Sequence, residues 1–108
     1  MATVKRYITQ IVQQAKEENI CLILTSLLPI LIDEKGKKNY IKELNDWLAE
    51  VAKKNNLIFV NYYATMVFPG TDKPLDRITY DGLHPNAKGY QIMATVLRNT
   101  LKKHEILI

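Results

Sequence analysis

Two continuous apolar runs constrain the fold of this chain more than any other feature. Ile20-Cys21-Leu22-Ile23-Leu24-Thr25 and Leu57-Ile58-Phe59-Val60-Asn61 show no alternation of apolar and polar residues. A strand with one wet face alternates. A strand covered on both faces does not, and parallel sheets sheathed by helices are built from strands of that second kind. Between the runs, Ile41, Leu44, Leu48, Val51 and Ala52 recur at helical spacing from Tyr40 to Asn55, with Trp47 at the flank of the stripe. Asn39 is the expected N-cap, and Lys53-Lys54 suit the helix C-terminus. A strand, a helix of about four turns and a second strand form a βαβ unit, which is right-handed in nearly every case.

Two further helices flank that unit. From Thr3 to Asn19, Val4, Ile8, Ile11, Val12 and Ala15 make an apolar stripe. Thr3 is the expected cap and Asn19 the stop. From Asn86 to Lys103, Tyr90, Met93, Ala94, Leu97 and Leu101 make another stripe, widened by Ile92 and Val96. Tyr62 to Val67 reads as a short helical turn, and Phe68 to Pro74 as loop. The expected architecture is α/β, with three main helices and two parallel strands in the order α-β-α-β-α, within one domain over residues 1–108.

Composition narrows the function classes. The net charge of +4 comes from 15 basic and 11 acidic residues, but the lysines are spread over helix ends and loops, where the helix dipole favours them. No arginine cluster interleaves with aromatics, so nucleic acid is not an expected partner. The longest apolar stretch, Ile20 to Ile32, is interrupted by Thr25, Ser26 and Pro29 and is too short to span a bilayer. Met1 leads into an amphipathic helix and not a secretory leader, so the chain as it stands reads as cytoplasmic, with export of a longer parent left open. Cys21 is the single cysteine. It excludes an internal disulfide, and its place in an apolar strand marks it as a buried small hydrophobe. His84 and His104 are far apart and offer no metal-ligand spacing. No cofactor is expected.

The chemistry-bearing stretch is Thr79-Tyr80-Asp81-Gly82-Leu83-His84-Pro85-Asn86-Ala87-Lys88-Gly89-Tyr90. A carboxylate that holds one ring nitrogen of a histidine fixes the tautomer and frees the other nitrogen to accept a proton. Gly82 permits a sharp turn between the two groups. Pro85 disfavours helical dihedrals at His84, and Asn86 is a suitable cap for the helix that follows. By spacing alone, an Asp-x-x-His pair more often stabilises a turn than performs catalysis. Ser26 is the only serine and lies at a strand end. Its neighbours Thr25, Leu27 and Leu28 are bulkier than a nucleophile on a tight strand-to-helix turn accommodates, so it reads as a strand-end hydroxyl.

The order of elements around the histidine tips the balance. The Asp-x-x-His-Pro box followed by Asn-x-x-Gly-Tyr resembles the last block of the SGNH (GDSL) hydrolases. The segments Leu22 to Pro29, Leu44 to Leu48 and Phe59 to Tyr63 resemble the second half of a small lysophospholipase-like esterase of that family. The resemblance implies a flavodoxin-like, three-layer fold of which this chain is the C-terminal portion, supplying the last two of five parallel strands. It also implies that Asp81 and His84 are two members of a catalytic triad acting on a small acyl ester. The Gly-Asp-Ser block of the nucleophile and the glycine and Gly-x-Asn-Asp blocks of the oxyanion hole do not occur in these residues. The expectation is an isolated chain without ester turnover.

The same resemblance places the segment after the first strand beside the substrate cleft. Ile30, Leu31 and Ile32 would form an acyl-contacting rim; as a plain structural reading they are core or loop contacts. The Ile20 to Thr25 strand would carry an unpaired edge, because in the family that place is filled by the strand of the Gly-x-Asn-Asp block. An open strand edge invites pairing. The expected partner is either a second copy, forming a homodimer, or a complementing N-terminal half. The alternative reading is a non-catalytic α/β module that associates through this edge.

Overall fold

The computed structural model describes all residues except Ile32, Glu34, Lys35, Leu107 and Ile108. Among the described residues the chain forms α1 (Ala2–Glu17), β1 (Ile23–Thr25), α2 (Lys38–Lys54), β2 (Ile58–Val60), α3 (Tyr62–Met66) and α4 (Ala87–Lys103). The expected α-β-α-β-α order holds, with the short turn after β2 appearing as α3. β1 and β2 pair in parallel, with Ile23 opposite Ile58, Leu24 opposite Phe59 and Thr25 opposite Val60. Parallel neighbours need a crossover, and α2 supplies it.

Both strands are shorter than the apolar runs that announce them. Ile20 and Cys21 lie outside β1, and both are exposed. Cys21 is therefore not the buried hydrophobe its neighbours suggested. The chain has not yet entered the sheet there: it is still leaving α1, with Asn19 in the left-handed region at φ 55°. β1 pairs with β2 alone, so its other edge has no strand partner among the described residues.

The three long helices end alike. Asn19, Asn56 and Glu105 all adopt positive φ. In each case the next residue's N–H reaches back to the helix: Ile20 to the Ala15 carbonyl at 2.8 Å, Leu57 to Ala52 at 2.8 Å, and Ile106 to Leu101 at 2.9 Å. This is the Schellman pattern, which satisfies carbonyls that the helix end leaves open. The helix starts differ from the sequence reading. α1 begins one residue before Thr3, with Met1 at the cap position and no side-chain cap. α2 begins before Asn39, at Lys38. The Asp33 carboxylate reaches forward from the loop instead, accepting from the N–H groups of Lys37 and, at 3.3 Å, Lys38.

The core lies where α2 and α4 meet the strands. Ile41, Leu44, Leu48 and Ala52 of α2 are buried, as are Leu24 of β1 and Val60 of β2. Phe59 faces α2 beside Asn45 and Ala49. Alternation along the strand turns Val60 to the other face, and α4 packs on β2. The buried side of α4 runs through Gly89 and Leu101, flanked by half-buried Ile92, Met93, Val96 and Leu97. Tyr90 and Ala94, expected on that side, are exposed: the axis of the stripe is rotated because Gly89 takes the point of closest approach. Met66 and Ile78, on either side of the 67–74 loop, are almost wholly buried. They anchor the chain on its way to the histidine box. No helix among the described residues is long and apolar enough to cross a membrane.

Candidate active site

The box is a narrow antiparallel turn built onto the start of α4. Thr79 and Pro85 form an isolated antiparallel bridge. Tyr80 N–H donates to the His84 carbonyl at 3.3 Å, and Asn86 N–H to the Ile78 carbonyl at 2.9 Å. Gly82 stands at the tip with φ 87°, where a residue with a Cβ would be strained. Its N–H donates to the Thr79 hydroxyl at 3.0 Å.

Asp81 organises what lies inside the turn. One carboxylate oxygen, Oδ1, accepts from the N–H of Leu83 at 2.9 Å and of His84 at 2.7 Å. The other, Oδ2, lies 2.5 Å from His84 Nδ1. These bonds all favour the ionised carboxylate. They lower its pKa from 3.8 to about 2, the His84 backbone N–H contributing most and the His84 ring next. The imidazole is well exposed, at 63% of its side-chain surface. With Nδ1 on the carboxylate, Nε2 is the nitrogen left to exchange a proton, and it has no hydrogen-bond partner among the described residues.

Asn86 fastens this turn to α4. Its Oδ1 accepts from Gly89 N–H at 3.0 Å, the N-cap bond expected from sequence. Its Nδ2 also donates back to the carbonyls of Arg77 at 2.8 Å and Thr79 at 3.4 Å. The side chain thus caps the helix and closes the box with one amide. Sequence reasoning reached the first role and missed the second.

The loop after β1 meets the box through a backbone bond: Leu31 N–H donates to the Gly82 carbonyl at 2.9 Å. Leu31 is exposed and Ile30 half-buried. Both belong to the expected rim, and the third member, Ile32, lies outside the described residues. Asn45, an asparagine on the apolar stripe of α2, holds the start of this loop. Its Oδ1 accepts from Leu27 N–H at 2.7 Å and its Nδ2 donates to the Leu27 carbonyl at 3.3 Å. A polar residue in line with Ile41, Leu44 and Leu48 was the available signal. Ser26 is buried, and its hydroxyl accepts from Tyr63 N–H at 2.9 Å. The hydroxyl joins the two strand-end loops, as a strand-end residue would.

Residues 1–92 match the model of the GDSL-like lipase/acylhydrolase family. The fold superposes on a candidate acylhydrolase from Bacteroides fragilis with a TM-score of 0.78 and 33% identity, over 90% of this chain and 49% of that one. A GDSL-like lipase from Bacteroides thetaiotaomicron gives 0.77 and 36%, over 90% and 50%. A candidate lipolytic protein of the G-D-S-L family from Desulfitobacterium hafniense gives 0.77 and 26%, over 93% and 55%. The chain spans about half the length of the solved structures it matches. No curated protein matches the chain. The family model covers most of the chain, and two structures above 30% identity agree with it in sequence and in fold: this chain belongs to the GDSL-like lipase/acylhydrolase family.

Proposed function

We propose that this chain is the proton-shuttling portion of an acyl-ester hydrolase, with Asp81 and His84 as two members of a serine-based triad. The observation that carries this reading is the 2.5 Å contact between His84 Nδ1 and Asp81 Oδ2 in an exposed turn. Asp81 orients the ring and stabilises the imidazolium. His84 Nε2 takes the proton of an attacking hydroxyl, then returns it to the departing alcohol. The only serine, Ser26, is buried with its hydroxyl on Tyr63. The nucleophile and the oxyanion donors therefore belong to a complementing N-terminal half. Ile30 and Leu31, joined to the box through the Leu31–Gly82 bond, line the acyl side of the cleft.

Reconstitution tests this. The chain is mixed with a separately expressed N-terminal half of a family esterase, and p-nitrophenyl acetate hydrolysis is followed. General acid–base catalysis contributes about 10²–10⁴-fold, so the mixture should lose that factor with His84→Ala. The chain alone should show no His84-dependent rate. A mixture that hydrolyses the ester equally well with His84→Ala would remove the assignment.

A second reading has its own observation. The outer edge of β1 is unpaired among the described residues. Beside it, Ile11 and Ile20 are 50% and 61% exposed and line a groove with Ala15 and Leu22. Pairing of that edge with a second copy would cover both, giving a two-fold dimer with antiparallel β1 strands. Light scattering after size exclusion decides it: a monomer at micromolar concentration rules out self-association.

A further inference from the structure

Among the described residues, Tyr80 is the most exposed of the large hydrophobic side chains, at 72%. Its side chain is neither part of the core nor held by a hydrogen bond of its own among the described residues. What it touches is the imidazole: the Tyr80 and His84 rings are stacked, with centroids 5.8 Å apart and planes inclined by 15°. The backbone explains the encounter. Tyr80 N–H bonds to the His84 carbonyl, and Thr79 bridges Pro85. The two residues therefore stand across a two-stranded turn, and side chains so placed lie side by side.

We propose that Tyr80 is a positioning residue for His84, acting through its ring face. This rests on the reading of His84 as the proton shuttle. Asp81 holds the ring by one edge only, which leaves it able to turn about its bond to Cβ. A partial turn tilts the ring out of its plane and takes Nδ1 out of line with the carboxylate oxygen, which weakens the bond that favours the Nδ1–H tautomer. The phenol face lies nearly parallel to the imidazole and opposes that motion. It also presents its negative π-face to the ring when the ring is charged. One edge is thus fixed by hydrogen bonding and one face by stacking, on a side chain that is otherwise open to solvent. Offset aromatic pairs stabilise their geometry enough to change such an equilibrium by about twofold to tenfold.

The test reads the ring itself rather than turnover, so it succeeds or fails independently of the esterase assignment. ¹⁵N and ¹H spectra of the His84 imidazole in the full chain report the tautomer ratio of the neutral ring and the ring-current shift from Tyr80. Tyr80→Leu should lower the ratio of Nδ1–H to Nε2–H tautomer by about twofold to tenfold and abolish the ring-current shift. Tyr80→Phe should preserve both. Backbone amide shifts outside residues 77–90 should be unchanged in either variant, showing that the fold is intact. An unaltered tautomer ratio in Tyr80→Leu would overturn the proposal. So would a loss in Tyr80→Phe as large as in Tyr80→Leu, because the hydroxyl rather than the ring face would then be responsible.

Discussion

Gly89 approaches Ile78 so closely that a methyl group built on it would lie 2.5 Å from the Ile78 carbonyl oxygen and 3.0 Å from Pro85 Cβ. In an exposed helix interior, glycine to alanine stabilises by about 0.8–1 kcal/mol. Here the nearest obstacle is backbone, which cannot swing aside, and overpacking costs about 1–3 kcal/mol. The second effect wins. Gly89→Ala should lower stability by up to about 2 kcal/mol in urea denaturation and push α4 away from the box, weakening the Asp81–His84 contact. A variant as stable as the parent would show that α4 can retreat freely.

Asn45 satisfies both backbone groups of Leu27. Truncation to alanine leaves a part-buried N–H and C=O without partners, which should cost about 1–3 kcal/mol. Asn45→Asp keeps the shorter bond, from the Leu27 N–H, and replaces the donor with a charge at a buried position. It should be no better than alanine. Denaturation midpoints of the two variants check this. If both match the parent, water has replaced the amide without loss.

Ser26 is expected to matter for stability and not for chemistry. Its hydroxyl accepts the Tyr63 N–H at the start of α3, as a capping residue does. Ser26→Ala should cost about 1 kcal/mol and leave the reconstituted ester hydrolysis unchanged. A fluorophosphonate probe should not label this chain. Labelling that disappears with Ser26→Ala would identify the nucleophile here and redraw the site.

The acid limb of the box follows from Asp81. Its pKa is about 2 in the folded turn, against an ordinary value of 3.8. A group whose pKa is depressed by folding contributes stability above its unfolded value and loses it as pH falls through the folded value. The Asp81 contribution should therefore be complete above about pH 4 and vanish toward about pH 2. Because the carboxylate is open to solvent, the effect is local: the amide resonances of Leu83 and His84 should move together through that window. Asp81→Asn should abolish the transition. Movement of those amides at a higher pH would assign the bonds to another group.

The βαβ unit was legible in the unbroken apolar runs, which show no alternation to misread; the register of Ile23 on Ile58 was not, because an unbroken run looks the same after a slip of one residue. The turn at Gly82 and the cap at Asn86 were legible because each depends on one residue's own chemistry. Asp33 at the start of α2 was not, since its carboxylate acts on N–H groups several residues ahead, across a loop whose path composition does not fix. Cys21 and Tyr90 were misplaced for a related reason. Both lie in stripes whose apolar character is real, but the strand starts later and the helix turns its glycine to the core. The Tyr80–His84 stack depends on the pairing of Thr79 with Pro85, and pairings between loop residues leave no periodic mark.

The backbone bond from Leu31 to Gly82 ties the segment that would grip the acyl group to the tip of the turn that presents the imidazole. Under the proposed function, chain-length preference and turnover number would therefore not be tuned separately. A replacement between Leu27 and Leu31 that reshapes the path to that amide also tilts the Asp81–His84 pair. Selection for a longer or shorter acyl group in this segment should change kcat as well as KM. The most evolvable route to a new preference would then be a residue such as Leu83, which is exposed on the turn and whose side chain can vary without disturbing that strut.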